Sequence, residues 1–188
     1  QQCGGRLSAR EASMRRLAPL LATLVLLAGC ASMSEDQCRR ADWLERGQRD
    51  GRNGENPYRI DDHRKACGKV GIVPDANRWM AGWREGVRSY CTPQVAWALG
   101  ARNGTYEGAC RALDEAMFLR WQRSGHDLYR TRQQRDSHRA EIDKLEEQLK
   151  KAATEEERKV IRDKIKQMDS EQARLRRLID TMERAAPK

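Results

Sequence analysis

The stretch WMAGWREG, residues 79–86, sets two tryptophans and two glycines at helical spacing, and related stretches lie on both sides of it. Upstream, Trp43-x3-Gly47 runs on to Asp50-Gly51. Downstream, Trp97-x2-Gly100 runs on to Asn103-Gly104; in the middle copy, Trp79-x2-Gly82 is followed by Glu85-Gly86. A Trp and a Gly three or four places apart share one helical face. Two Gly four apart stack two bare spots one turn apart, where another backbone can come close, a steric rule best known from membrane helices. Trp43, Gly47, Gly51, Trp79, Gly82, Gly86, Trp97, Gly100 and Gly104 are therefore the expected helix-packing residues. The polar residue before the second Gly, Asp50 or Asn103, also suits a helix end, with the Gly taking a left-handed position after it.

The punctuation around this pattern predicts three or four short helices, about 36–51, 59–69, 75–90 and 93–103, joined by turns such as GENPY and GIVPD. Pro93 fits a helix start, where its missing N–H is not needed. The chain has a single Phe and abundant charge, so a large core is not expected.

Residues 14–30 predict where such a domain lives. The uncharged run from Leu17 to Gly29 is too short to cross a bilayer, which takes about twenty apolar residues. Arg15-Arg16 before it and Ala28-Gly29 after it have the form of a cleavable export signal. Leu27-Ala28-Gly29-Cys30 resembles the lipobox of bacterial lipoproteins. That resemblance implies cleavage between Gly29 and Cys30, acylation of Cys30, and, with Ala31 next, delivery to the outer membrane facing the periplasm. Two acyl chains already anchor stably. Residues 1–13 are expected to be a non-native extension ahead of Met14, and Cys3 then needs no role. Loss of residues 1–29 removes four Arg and one Glu and lowers the formal net charge from +9 to +6. The Arg excess suits acidic partners or a solvated surface. Nucleic acid is not an expected partner of an exported chain.

In an oxidising compartment the four remaining Cys, Cys38, Cys67, Cys91 and Cys110, predict two disulfides. Three connectivities are open. An antiparallel pairing of the first two helices favours Cys38–Cys67, leaving Cys91–Cys110. A zinc site with His63 is the competing assignment, but no C-x-x-C pair supports it.

CRRADWLERGQRDGRNG, HRKACGKVGIVPD, WMAGWREGVRSYC and GARNGTYEGAC together resemble the bacterial lipoprotein family known as domain of unknown function 2799 (DUF2799), over about Cys38–Cys110. The resemblance implies an exported, Cys-stapled domain and carries no activity with it.

Beyond Cys110 only Gly125 remains of fourteen glycines, and the chain reads as charged helix. Ile142, Leu145, Leu149 and Ala152 step by three and four, as do Ile161, Ile165, Met168, Gln172, Leu175, Ile179 and Met182. The two registers do not join. Thr154 with Glu157 forms a capping box at the break, so a helical hairpin turning near 152–154 is favoured over one continuous helix.

Chemistry is sparse. No nucleophile elbow, zinc-protease helix or phosphate loop is present. Asp50 and Glu85 invite comparison with a glycosidase carboxylate pair, and His63 beside Asp61-Asp62 with a general base. Helix packing and a surface histidine are the simpler readings. Trp43, Trp79, Trp83 and Trp97 offer flat faces for glycan, though their Gly-linked spacing favours a core. Arg120, Arg123, Arg130, Arg132, Arg135 and Arg139 form a basic stretch with interleaved acids, which reads as a solvated face. Asn103-Gly104-Thr105 matches a glycosylation sequon that a bacterial chain would not use.

The expectation is therefore an all-α protein: tether 30–37, a stapled domain of short helices over 38–110, and a long helical hairpin or coiled-coil tail over 111–188. Its expected role is non-catalytic, as a structural or interaction module of the cell envelope, without metal or cofactor. Its expected partners are membrane lipid through acylated Cys30 and, through the tail, a second copy or another envelope protein. Envelope-glycan binding or hydrolysis is the alternative.

Overall fold

The computed structural model describes residues 32–188. The expected extension 1–13, the signal 14–29 and the cleavage and acylation site at Gly29–Cys30 lie outside the described residues. Within those residues the chain is all α, with helices α1 (Glu35–Arg39), α2 (Trp43–Arg52), α3 (Arg59–Gly68), α4 (Ala76–Tyr90), α5 (Pro93–Ala101), α6 (Glu115–Lys151) and α7 (Glu155–Arg184). No described helix is long and apolar enough to cross a membrane.

Side chains set the starts. Asp42, Asp75, Thr92 and Asp114 each accept a backbone N–H of the first turn of α2, α4, α5 and α6, while Ser34 and Thr154 form capping boxes on α1 and α7. One cap corrects an expectation. Residues 36–51 are not one helix, because Asp42 captures Leu44 N–H and Glu45 N–H and restarts the chain after Arg40. Helices α2 and α3 do not form the expected antiparallel pair either; the partner of α2 is α4.

That partnership is made backbone to backbone. A Cβ on Gly47 would lie 1.9 Å from Trp79 O, and one on Gly82 would lie 1.9 Å from Leu44 O. A turn further on, Gly51 meets Trp83 O at 2.5 Å and Gly86 meets Gln48 O at 2.0 Å. The four glycines are therefore reciprocal. Gly51 is inside α2 rather than at its end; the left-handed glycine is Gly54, with φ +77°.

A second crossing repeats the device. Gly100 of α5 would meet Gln122 O at 2.0 Å, and Gly125 of α6 would meet Trp97 O at 2.1 Å. Gly104 is not part of it. It follows α5, where a Cβ would strike the Leu99 side chain at 2.4 Å. Asn103, not a glycine, takes the left-handed backbone there, with φ 57°, a conformation Asn tolerates.

Two disulfides close the unit. Cys38–Cys67 joins α1 to α3, and Cys91–Cys110 ties the end of α4 to the segment before α6. They enclose separations of 29 and 19 residues, for which loop-closure entropy predicts about 3 kcal/mol each. Phe118 at the start of α6 is fully buried and packs against Tyr90 and Tyr106, with ring centroids 5.2 and 4.7 Å away. The Tyr106 hydroxyl accepts from Cys110 N–H and donates to Glu115; burial is the main cause pushing its pKa up to about 12. The stapled unit thus does not stop at Cys110. Its core takes in the first turns of the expected tail.

The rest of α6 leaves this core and pairs with α7. Pairings 132 with 183, 135 with 172 and 141 with 164 run in opposite directions along the two helices, so the rod is an antiparallel hairpin. Helix α6 ends at Lys151, Ala152 is extended, and α7 restarts at the Thr154 capping box. At 1.5 Å per residue α6 is about 55 Å long in all, its first turns within the core, and α7 about 45 Å. Ile142, Leu145, Gln172, Leu175 and Ile179 are buried in the seam, and Leu149, Ile161, Ile165, Met168 and Met182 are half-buried. The chain then returns to the domain, where Gln94 donates to the Lys188 carbonyl.

Gly82→Ala, which sets a methyl against the Leu44 carbonyl, is expected to cost about 3 kcal/mol or more by forcing α2 from α4. Gly68→Ala, with open space around the new Cβ, is expected to be neutral or to stabilise by about 0.5 kcal/mol. Chemical denaturation of both variants, with disulfides intact, checks the contrast.

Candidate functional site: a buried polar relay at the start of the fold

Asp50 sits on the face of α2 that turns toward α3 and α4, one residue before the Gly51 contact. It is only 3 % exposed and is surrounded by donors. Its Oδ2 accepts from His63 Nε2 at 2.7 Å, from Trp79 Nε1 at 2.9 Å and from Arg46 Nε at 3.3 Å. Burial pushes the Asp50 carboxyl up, but the hydrogen bonds from His63 and Trp79 and the Arg46 charge outweigh it. The carboxyl is held below the ordinary carboxylate value.

His63 comes from α3 and is fully buried, with the Trp43 and Trp79 rings each 6.3 Å from its own. Its other ring nitrogen, Nδ1, is hydrogen-bonded with the Ser32 hydroxyl, 2.9 Å away. Arg46 Nη2 donates to the Ser32 carbonyl at 3.1 Å. Ser32 is thereby held through its side chain and its backbone, and Met33 after it is 4 % exposed. The expected tether 30–37 is therefore built into the fold from Ser32 onward.

Ser32, His63 and Asp50 have the composition of a nucleophilic triad. Their geometry is that of a tie. The imidazole has no face open to a substrate, both its nitrogens are engaged, and Asp50 also carries Trp79 and Arg46. The arrangement fixes the start of the folded chain to α2, α3 and α4 at once.

The other expected site residues fall elsewhere. His63 is not a surface histidine served by Asp61 and Asp62, which point outward and pair with Arg64 and Arg59. Glu85 is exposed and accepts from Gln48, so it does not face Asp50 across a cleft. Trp79 and Trp83 are core residues whose N–H groups go to Asp50 and to the Glu55 carbonyl; Trp43 and Trp97 are half-buried. Cys67 is committed to its disulfide, which removes it from a zinc site with His63. Within the basic stretch, Arg130, Arg132 and Arg135 have acidic partners. Sequence reading missed Ser32, Arg46, Trp121 and Gly125. Two signals were available: Arg46 and Asp50 stand four apart on one helical face, and Trp121-x3-Gly125 repeats Trp43-x3-Gly47.

Residues 42–127 match the family described as Protein of unknown function (DUF2799). That span holds both glycine crossings and the Cys91–Cys110 disulfide, and runs into α6 past the expected limit at Cys110. No curated protein and no solved structure matches the chain.

Asp50→Ala, which leaves Arg46, His63 and Trp79 without their acceptor, is expected to cost about 3 kcal/mol or more, and Ser32→Ala about 1 kcal/mol. Asp50 is more acidic folded than its ordinary 3.8, so its contribution is complete above that value and lost as pH falls through the lower folded value. Unfolding titrations should show a constant gap between wild type and Asp50→Asn above about pH 5, closing below about pH 4.

Proposed function

We propose that this chain, whose residues 42–127 match the DUF2799 family of proteins of unknown function, is an exported lipoprotein. Acylated Cys30 holds it to the outer membrane on the periplasmic side, where it serves as a non-catalytic structural or interaction module. The observation that carries this reading is the docking of Ser32 and Met33. The second residue after the lipobox cysteine is already part of the described fold, so acyl chains on Cys30 would hold the stapled domain close to the lipid surface. The two disulfides fit an oxidising compartment.

The hairpin supplies the interaction element. Its seam is closed by its own two arms, which leaves the outer face of α7, with Val160 and Leu178 exposed, for a second copy or another envelope protein. Glycan recognition on a tryptophan platform draws no support from the buried Trp79 and Trp83, and hydrolysis draws none from the separated Asp50 and Glu85.

Labelled palmitate supplied to a Gram-negative host expressing wild type and Cys30→Ala tests the anchor. Wild type is expected to take up label and to fractionate with the outer membrane, and Cys30→Ala to lose both. An unlabelled wild-type product in the cytosolic fraction would overturn the proposal.

A further inference from the structure

We infer that the polar groove where α2, α4 and α5 end is a binding site for a neutral saccharide. The inference does not depend on the anchor at Cys30. The sequence repeats Arg-Asn-Gly at 52–54 and at 102–104, and the fold brings the two copies to one groove of about 880 Å³. Each copy is a tight turn at a helix end. Gly54, with φ +77°, donates to the Gly51 carbonyl; Asn103 has φ 57°, and Gly104 after it donates to the Leu99 carbonyl. The volume falls in the range of small-ligand clefts, roughly 300–1,000 Å³.

Tyr90 also lines the groove. Its side chain is 7 % exposed and its ring is fixed on both sides, stacked on Phe118 and set so close to Gly54 that a Cβ there would lie 2.2 Å from Cζ. Among the described residues its hydroxyl makes no hydrogen bond, and the oxygen is open enough to meet solvent. A donor–acceptor group on a rigid ring is therefore available at the groove.

Charge selects the ligand class. Arg52 and Arg102 line the groove as donors, but Glu55 and Glu107 line it too, and α2, α4 and α5 present their C-terminal, negative ends there. An anion meets the two carboxylates and the helix ends, and a cation meets the two arginines. A sugar hydroxyl donates and accepts together, so it uses both halves of this balance and the amides of Asn53 and Asn103 as well. Val95 and Leu99 give an apolar patch for the C–H face of a ring.

Calorimetric titration of the whole chain, disulfides intact, with neutral chitotetraose and maltotetraose tests the assignment. Saturable binding of at least one is expected, with affinity changing less than about twofold between 50 and 500 mM salt. Tyr90→Phe keeps the ring and Asn103→Gly keeps the left-handed turn; each is expected to weaken binding about fivefold, the size of one hydrogen bond. Amide shifts of the wild-type protein should change at 52–54 and 102–104, which keeps the test independent of how the variants fold. No saturation with either sugar, shift changes confined to other regions, or unaltered affinity in both variants would overturn it. So would tighter, salt-sensitive binding of inorganic phosphate or an oligouronate, which would mark an anion site instead.

Discussion

The contact on which this structure depends is that of two peptide backbones. At Gly47, Gly51, Gly82 and Gly86 the helices α2 and α4 approach until a methyl group on any of them would overlap a carbonyl or amide of the other. Backbone packing of this kind tolerates one register, because a slip of one residue brings a side chain into the gap. The register has a chemical consequence. It sets Asp50 of α2 beside Trp79 of α4, and α3 then delivers His63 to the same carboxylate. A buried charge is stable only when its acceptor sites are filled, and the glycine contact aligns the donors that fill them.

The second crossing extends the same physics into the rod. Gly100 and Gly125 seat α6 on α5, and the lone Phe, Phe118, fills the space beside Tyr90 and Tyr106. With few large aliphatic residues available, close helix approach and two disulfides do the stabilising that a larger core does elsewhere. Because α6 runs unbroken from that crossing to Lys151, no linker separates domain from rod. The rod direction is inherited from the core.

The start of the described chain is bound with the same firmness, through Ser32 to His63 and Arg46. Domain and rod are likewise continuous, since α6 belongs to both.

Local patterns were legible in the sequence where the cause is local. Pro93 and the Thr154–Glu157 capping box marked two helix starts, the mismatch of heptad registers marked the hairpin turn at Thr154, and Trp–Gly spacing marked the packing faces, because these depend on residues within a turn or two of one another; the Asp42 cap, equally local, went unread. What the faces pack against was not legible. A bare helical face accepts any other bare face, and only the three-dimensional path of the chain sends α2 to α4 instead of α3, and α5 to α6. The same limit hid the relay. His63 beside Asp61 and Asp62 reads as a solvated histidine until the fold buries it against Asp50, thirteen positions away. The two Arg-Asn-Gly turns stand far apart in the sequence, at 52–54 and 102–104, and only the fold brings them to one groove. Periodicity and capping are set by neighbours along the chain, whereas burial and the pairing of distant polar groups are set by which helices the glycines allow to touch.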